Sequence, residues 1–207
     1  YNVELITGKG KVTAPDTVTV DGEKELKSKH IVVSTGSVPA ELPFLKIDGD
    51  YVIGSEQALD LENIPQKMLV VGAGAIGLEM GLIYKYLGTE VTVVEILDQV
   101  LPGSDTEVAN ILATELKKQK IKIHTATTIT DPTVNGEEKT MGFHFKSEKK
   151  EWDESFSKVL LSVGRKPLTE GVFDESLGIK TDRRGFIEVD ENLRTAVPSI
   201  FACGDVV

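Results

Sequence analysis

The stretch from Lys67 to Glu95, KMLVVGAGAIGLEMGLIYKYLGTEVTVVE, constrains the fold more than any other part of the chain. It opens with a continuous apolar run, Met68 to Val71, the pattern of a strand buried on both faces in a parallel sheet. Gly72, Gly74 and Gly77 follow in the spacing G-x-G-x-x-G. A helix-forming run continues to Leu87, and Gly88 closes it. A second apolar strand, Val91 to Val94, ends on Glu95.

Each part of this unit has a physical reason. Gly72 permits a tight turn out of the strand, Gly74 lets a pyrophosphate approach bare backbone, and Gly77 lets the helix pack close to the strands. The free N–H groups and positive dipole end of the helix then face the phosphates. Glu95 comes about 18 residues after Gly77, close to the offset expected for an acid that accepts hydrogen bonds from an adenosine ribose diol. The context implies dinucleotide binding; a glycine-rich turn that binds nothing is the bland alternative. Glu95 would repel a 2′-phosphate, and no Lys or Arg occurs from Ile96 to Leu116, so NAD(H) is expected over NADP(H).

The chain has 207 residues, 40% of them apolar, enough for one large domain or two small ones. A net charge of −10 argues against nucleic-acid partners and against anionic membrane surfaces. No apolar run approaches the roughly 18 residues of a membrane span, and no signal peptide is recognisable. The single cysteine, Cys203, allows no internal disulfide and suggests a reducing compartment. No metal-ligand spacing is present, and His30, His124 and His144 read as ordinary surface or strand residues. The chain starts at Tyr1 without Met and stops at GDVV, so an internal piece of a longer protein is expected.

Along the chain, residues 1–35 read as a β meander. Its strands are Val3 to Ile6, Lys11 to Thr13, Thr17 to Val20 and a buried His30 to Ser34, with a hairpin signal at Asp21-Gly22. Pro39 and Pro43 suit a linker. A short helix is expected from Ser55. On the helix after Gly74, the stripe Ile76, Met80, Ile83 and Leu87 should face the sheet. Ser104 with Glu107 predicts a capping box for a helix to about Lys118, and Ile121 to Thr125 predicts a third strand, completing βαβαβ. Asn135-Gly136 signals a hairpin, Lys146 to Glu154 a solvated loop, and Lys158 to Val163 another strand. A small antiparallel meander should thus cover one face of the sheet. Gly185 to Val189 and Ser199 to Cys203 predict two short strands near the end.

The motifs stand in a recognisable order: Thr35-Gly36-Ser37 with Pro39, then Gly72 to Glu79, Val93-Val94-Glu95, Val163-Gly164-Arg165-Lys166-Pro167, and Phe201 to Asp205. In this the whole chain resembles the flavoprotein disulfide reductases that bind two dinucleotides. The run Glu95 to Asp105, with Leu101-Pro102-Gly103, is most similar to the dihydrolipoamide dehydrogenase branch. The resemblance implies an α/β fold: a Rossmann-like NAD-binding domain (βαβαβ plus antiparallel meander) over 48–164, inserted in the remnant of an FAD-binding domain at 1–47 and 165–207. It assigns Gly72 to Glu79, Glu95, Ile129 and Gly164 to NAD, with Glu79 beside the nicotinamide and flavin. Gly10, Thr35, Gly36, Ser37 and Asp205 go to FAD, Asp205 through the ribitol hydroxyls.

For the parent protein the resemblance implies that dihydrolipoamide reduces a cysteine disulfide and that electrons reach NAD⁺ through FAD. The partners implied are a lipoyl carrier domain and a 2-oxoacid dehydrogenase complex. A homodimer is implied through a domain outside this sequence, and a cytoplasmic location, or the mitochondrial matrix in a eukaryote. The sequence departs from the family pattern in lacking the first FAD glycine turn, the C-x-x-x-x-C redox pair and the C-terminal His-Glu pair. No catalytic residue is therefore expected among these 207 residues, and this chain alone should bind NAD(H) without turning over lipoamide. Another NAD-linked disulfide reductase or NADH oxidase, or a stand-alone NAD-binding module, are the alternatives.

Overall fold

The apolar runs around the glycine turn form the parallel sheet they predict. The computed structural model describes residues 3–207, which divide into two compact units. One is Pro39–Gly164; the other joins the segment up to Val38 with Arg165–Val207.

In the first unit five parallel strands lie in the order Val52–Ile53, Lys158–Leu161, Lys67–Val71, Glu90–Val94 and Lys122–His124. Successive side chains of a strand point to opposite faces, and here both faces are covered. Met68, Val70, Val91 and Val93 pack with Leu78, Tyr84, Ala109 and Leu116 of the helices Ala75–Tyr86 and Thr106–Lys118. Leu69, Val71, Val94 and Leu161 pack with Phe143, Phe145 and Phe156 of the antiparallel strands Thr127–Asn135, Thr140–Ser147 and Glu151–Phe156. This two-sided burial explains why the central strands read as unbroken apolar runs. Phe145 and Phe156 are fully buried, each contributing about 1.5–3 kcal/mol of transfer free energy.

Several expectations are corrected in this unit. The stripe Ile76, Met80, Ile83 and Leu87 meets the core only at Met80: Ile76, Ile83 and Leu87 are 37%, 46% and 51% exposed. Gly77, Leu78, Gly81 and Tyr84 face it instead, because the glycines let the helix backbone settle directly on Val70 and Val91. Asp105, not Ser104, caps the helix Thr106–Lys118, accepting from the N–H groups of Glu107 and Val108. The short helix begins at Ser55 as expected, but its cap is Gly54, whose N–H donates to Gln57 Oε1. Glu151–Phe156, within and just beyond the expected loop, is a strand. Glu151 and Asp153 lie on the open face, where Glu151 meets Lys146 and Asp153 meets His144 across the ladder, while Glu154 on the other face pairs with Lys67. Asn135 does turn the hairpin, its side chain accepting from the N–H groups of Glu137 and Glu138.

The second unit holds the antiparallel ribbon Gly10–Ala14, Thr17–Val20, Lys24–Lys27 and a parallel pair, Ile31–Val33 with Ile200–Ala202. Its core gathers Val12, Ile31, Val33, Val172, Ile187, Ile200 and Val206. The expected strand at residues 3–6 is absent, and Gly185 to Val189 reduces to one bridge, Ile187 to Thr181. The Ile31–Val33 strand is buried on one face alone, with Val32 exposed. Ser37–Pro39, read as the start of a linker, is a short strand paired with Arg165–Pro167.

Candidate functional site

In the five-stranded sheet the chain runs outward from Lys67–Val71 to Glu90–Val94 and Lys122–His124, then returns to the opposite side as Lys158–Leu161. Ligands of open parallel sheets bind beyond the carboxyl ends of the strands, where the strand order reverses. Here that point lies between Gly72–Gly74 and Ser162–Gly164, since Val71 and Leu161 are in register.

The three glycines do different work. Gly72 has φ +100°, and a Cβ there would lie 2.5 Å from Ser162 O. Gly77 is packed: a Cβ would meet Gly72 O at 2.3 Å and Ser162 Oγ at 2.5 Å. Around Gly74 the space is open, with nothing within 4 Å of an added Cβ. Gly74 is the N-cap of the helix Ala75–Tyr86 and offers no side-chain cap. The first helical bond runs from Leu78 N–H to Gly74 O, and among the described residues no acceptor meets the N–H groups of Gly74, Ala75, Ile76 and Gly77. Those groups and the helix dipole make an anion cradle with bare backbone at its mouth. The donor set fits a pyrophosphate.

Glu95 is 8% exposed at the tip of Glu90–Val94. Its Oε2 accepts the Ala73 N–H at 2.8 Å and its Oε1 the Leu97 N–H at 3.0 Å. Each oxygen retains a lone pair for a ribose hydroxyl. Leu101 N–H donates to Ala73 O at 2.8 Å, tying the loop after Glu95 to the turn. The Glu95 N–H donates to His124 O. The His124 ring packs on Trp152 at 4.8 Å, and burial, with help from Lys150, holds its pKa below the ordinary 6.5.

The other expected contacts fall as follows. Ala75, Ile76 and Glu79 are exposed at the start of the helix, while Ala73 and Leu78 are buried. Gly164, with φ +123°, is exposed beyond Lys158–Leu161, and its carbonyl accepts Ala40 N–H. Ile129 is 6% exposed, its side chain in the core beneath the antiparallel strands. Ser162, which no motif singles out, joins the glycine turn through its hydroxyl.

In the second unit Ser37 Oγ donates to Asp205 Oδ2 at 2.9 Å. Arg165, a residue the sequence reading leaves out of the site, donates from Nε to Ser37 Oγ at 2.6 Å and from Nη2 to Ser37 O at 2.7 Å. Thr35 Oγ1 donates to Leu168 O, and Gly36 O accepts Leu168 N–H. The structure therefore brings Thr35, Gly36, Ser37 and Asp205 together. Gly10 lies opposite Val20 in the antiparallel ribbon.

A family model described as pyridine nucleotide-disulphide oxidoreductase matches residues 1–207. The chain belongs to that family. Within the pyridine nucleotide-disulphide oxidoreductases it is 41% identical to the mitochondrial dihydrolipoyl dehydrogenase of Dictyostelium discoideum over 99% of this chain and 43% of that protein. It is 38% identical to the dihydrolipoyl dehydrogenase of Vibrio parahaemolyticus over 100% of this chain and 44% of the other. Among solved structures it is similar to the HOCl-induced flavoprotein disulfide reductase RclA of Escherichia coli. The TM-score is 0.84 at 26% identity, covering 100% of this chain and 46% of that one. The chain thus spans less than half the length of these family members.

Proposed function

We propose that this chain supplies the NAD(H)-binding part of a flavoprotein oxidoreductase that oxidises dihydrolipoamide. The observation that carries the reading is the uncapped N-terminus at Gly74, open at the switch point, with Glu95 buried beside it. The names of the relatives support the lipoamide substrate. The span 48–164 is the NAD-binding domain, Rossmann-like, and lies within the unit Pro39–Gly164, which also takes in 39–47; the rest of 1–47, with 165–207, is part of an FAD-binding domain.

Bound NAD⁺ would supply a hydride acceptor. The chain's own residues do the rest of the work at this site. Gly74 to Gly77 donate to the phosphates, Glu95 accepts from the adenosine ribose, and Glu79 and Gly164 flank the nicotinamide end. Glu95, with no cation from Ile96 to Leu116, excludes a 2′-phosphate. Ser37 and Asp205, held by Arg165, are the contacts for the FAD side in the parent protein. Its partners would be a lipoyl carrier domain and a 2-oxoacid dehydrogenase complex, and its assembly a homodimer. A cytoplasmic or mitochondrial-matrix location belongs to the same reading. Among the described residues, no helix is long and apolar enough to cross a membrane.

The test is titration of the purified chain with NADH and NADPH, followed by nucleotide fluorescence. NADH should bind at least about tenfold tighter, the equivalent of about 1.4 kcal/mol. Tighter NADPH binding, or a folded chain that binds neither, overturns the reading. With Cys203 as its single cysteine, the chain should not reduce NAD⁺ with dihydrolipoamide; turnover would overturn that part.

A further inference from the structure

Ser162 lies just past the strand Lys158–Leu161, and its hydroxyl sits 3.0 Å from both Val71 O and Gly72 O. Its own N–H already donates to Val71 O at 2.8 Å, which leaves Gly72 O as the acceptor in need of the hydroxyl proton. That carbonyl belongs to the same peptide as the Ala73 N–H, which donates to Glu95 Oε2. The Gly72–Ala73 peptide is therefore held at both ends, by side chains from the two strands that flank Lys67–Val71.

The orientation of this peptide matters because of its neighbours. The unpaired N–H groups of Gly74 to Gly77 make the mouth of the turn positive. The Gly72 carbonyl points instead toward Gly77 and Ser162, as the 2.3 Å approach to a Cβ at Gly77 requires. Gly72, at φ +100°, has the backbone freedom to let the peptide turn over. A flipped peptide would lose both hydrogen bonds and bring a carbonyl oxygen to the place where phosphate oxygens approach.

We propose that Ser162 is a positioning residue for the dinucleotide: its hydroxyl locks the Gly72–Ala73 peptide with the carbonyl turned away from the phosphates. This rests on the reading of the turn as an NAD(H) site. It separates two halves of the ligand. Ser162 acts on the pyrophosphate, whereas an adenosine ribose is held by Glu95.

The experiment compares wild type, Ser162→Ala and Ser162→Cys in the purified chain, with NADH, ADP-ribose and adenosine as probes and circular dichroism as the check on folding. Ser162→Ala should raise the Kd of NADH and of ADP-ribose about tenfold, what loss of one hydrogen bond in a buried setting amounts to. Adenosine, which carries no phosphate, should bind as to wild type. Ser162→Cys keeps the shape with a weaker donor and should fall between the two; it carries the test should the alanine variant not fold. Unchanged Kd values for NADH and ADP-ribose in a folded variant overturn the proposal alone. Equal weakening of all three probes also overturns it, because that is the signature of a general structural role. A wild-type chain that binds none of the probes overturns both this proposal and the NAD(H) reading.

Discussion

The backbone N–H of Ala73 donates to Glu95 Oε2 at 2.8 Å, joining the glycine turn to the acid at the tip of the next strand, 22 residues away. One carboxylate thus shapes the turn and presents an acceptor beside it. A charge-assisted bond of this kind is stronger than its neutral counterpart.

Glu95→Gln should expose both roles. The amide keeps one acceptor and turns a donor toward one of the two N–H groups it now serves, Ala73 or Leu97. Stability should fall by about 1–3 kcal/mol, the cost of a buried unsatisfied donor, and NADH affinity should fall with it. Urea denaturation and NADH titration check the two separately. Full NADH affinity in the variant would reduce Glu95 to a structural residue.

Alanine at two glycines should separate folding from binding. At Gly77 the new Cβ would lie 2.3 Å from Gly72 O, an overpacking that costs about 1–3 kcal/mol. At Gly74 the space is open and φ is −72°, so the alanine variant should stay within about 1 kcal/mol of wild type, the loss of a favourable N-cap residue. Its methyl group would nevertheless occupy the mouth of the turn. Gly74→Ala should therefore lower its melting temperature by no more than about 2–4 °C and lose NADH binding.

Thr92 is fully buried in the strand Glu90–Val94, and its hydroxyl has no hydrogen-bond partner among the described residues. Valine has nearly the same shape without the polar atom. Thr92→Val should stabilise the chain by about 1 kcal/mol, measured as a higher urea midpoint at unchanged slope. A destabilised variant would mean that the hydroxyl is satisfied in solution.

The two histidines of the Pro39–Gly164 unit should act on stability with opposite signs. His124 has its pKa lowered by burial, so the unfolded chain binds the proton more readily; its contribution is full above 6.5 and is lost as pH falls through the lower folded value. His144 has its pKa raised, first by its hydrogen bond to Asp153, so its contribution is full below 6.5 and is lost as pH rises through the higher folded value. Denaturation midpoints at acid and neutral pH, for wild type, His124→Gln and His144→Gln, check this. Removing His124 should lessen the loss of stability on acidification, and removing His144 should deepen it.

The strand, glycine turn, helix and strand of Lys67–Glu95 were legible because their signals are local. An apolar run, a Gly72 that must take φ +100° and a helix that ends before Gly88 all depend on neighbours in sequence. The Asn135 hairpin and the Ile200–Ala202 strand are of the same kind. The orientation of the Ala75–Tyr86 helix was not legible, because hydrophobic periodicity gives no weight to glycine. Gly77 and Gly81 face the sheet by virtue of the side chains they lack.

Residue types, order and spacing alone thus determined the strand, glycine turn, helix and strand of Lys67–Glu95. Tertiary structure decided which groups complete the site. Ser162 reaches Gly72 across 90 positions, and Arg165 reaches Ser37 across 128. No local pattern marks such residues, because each acquires its role when segments distant in the chain are paired side by side.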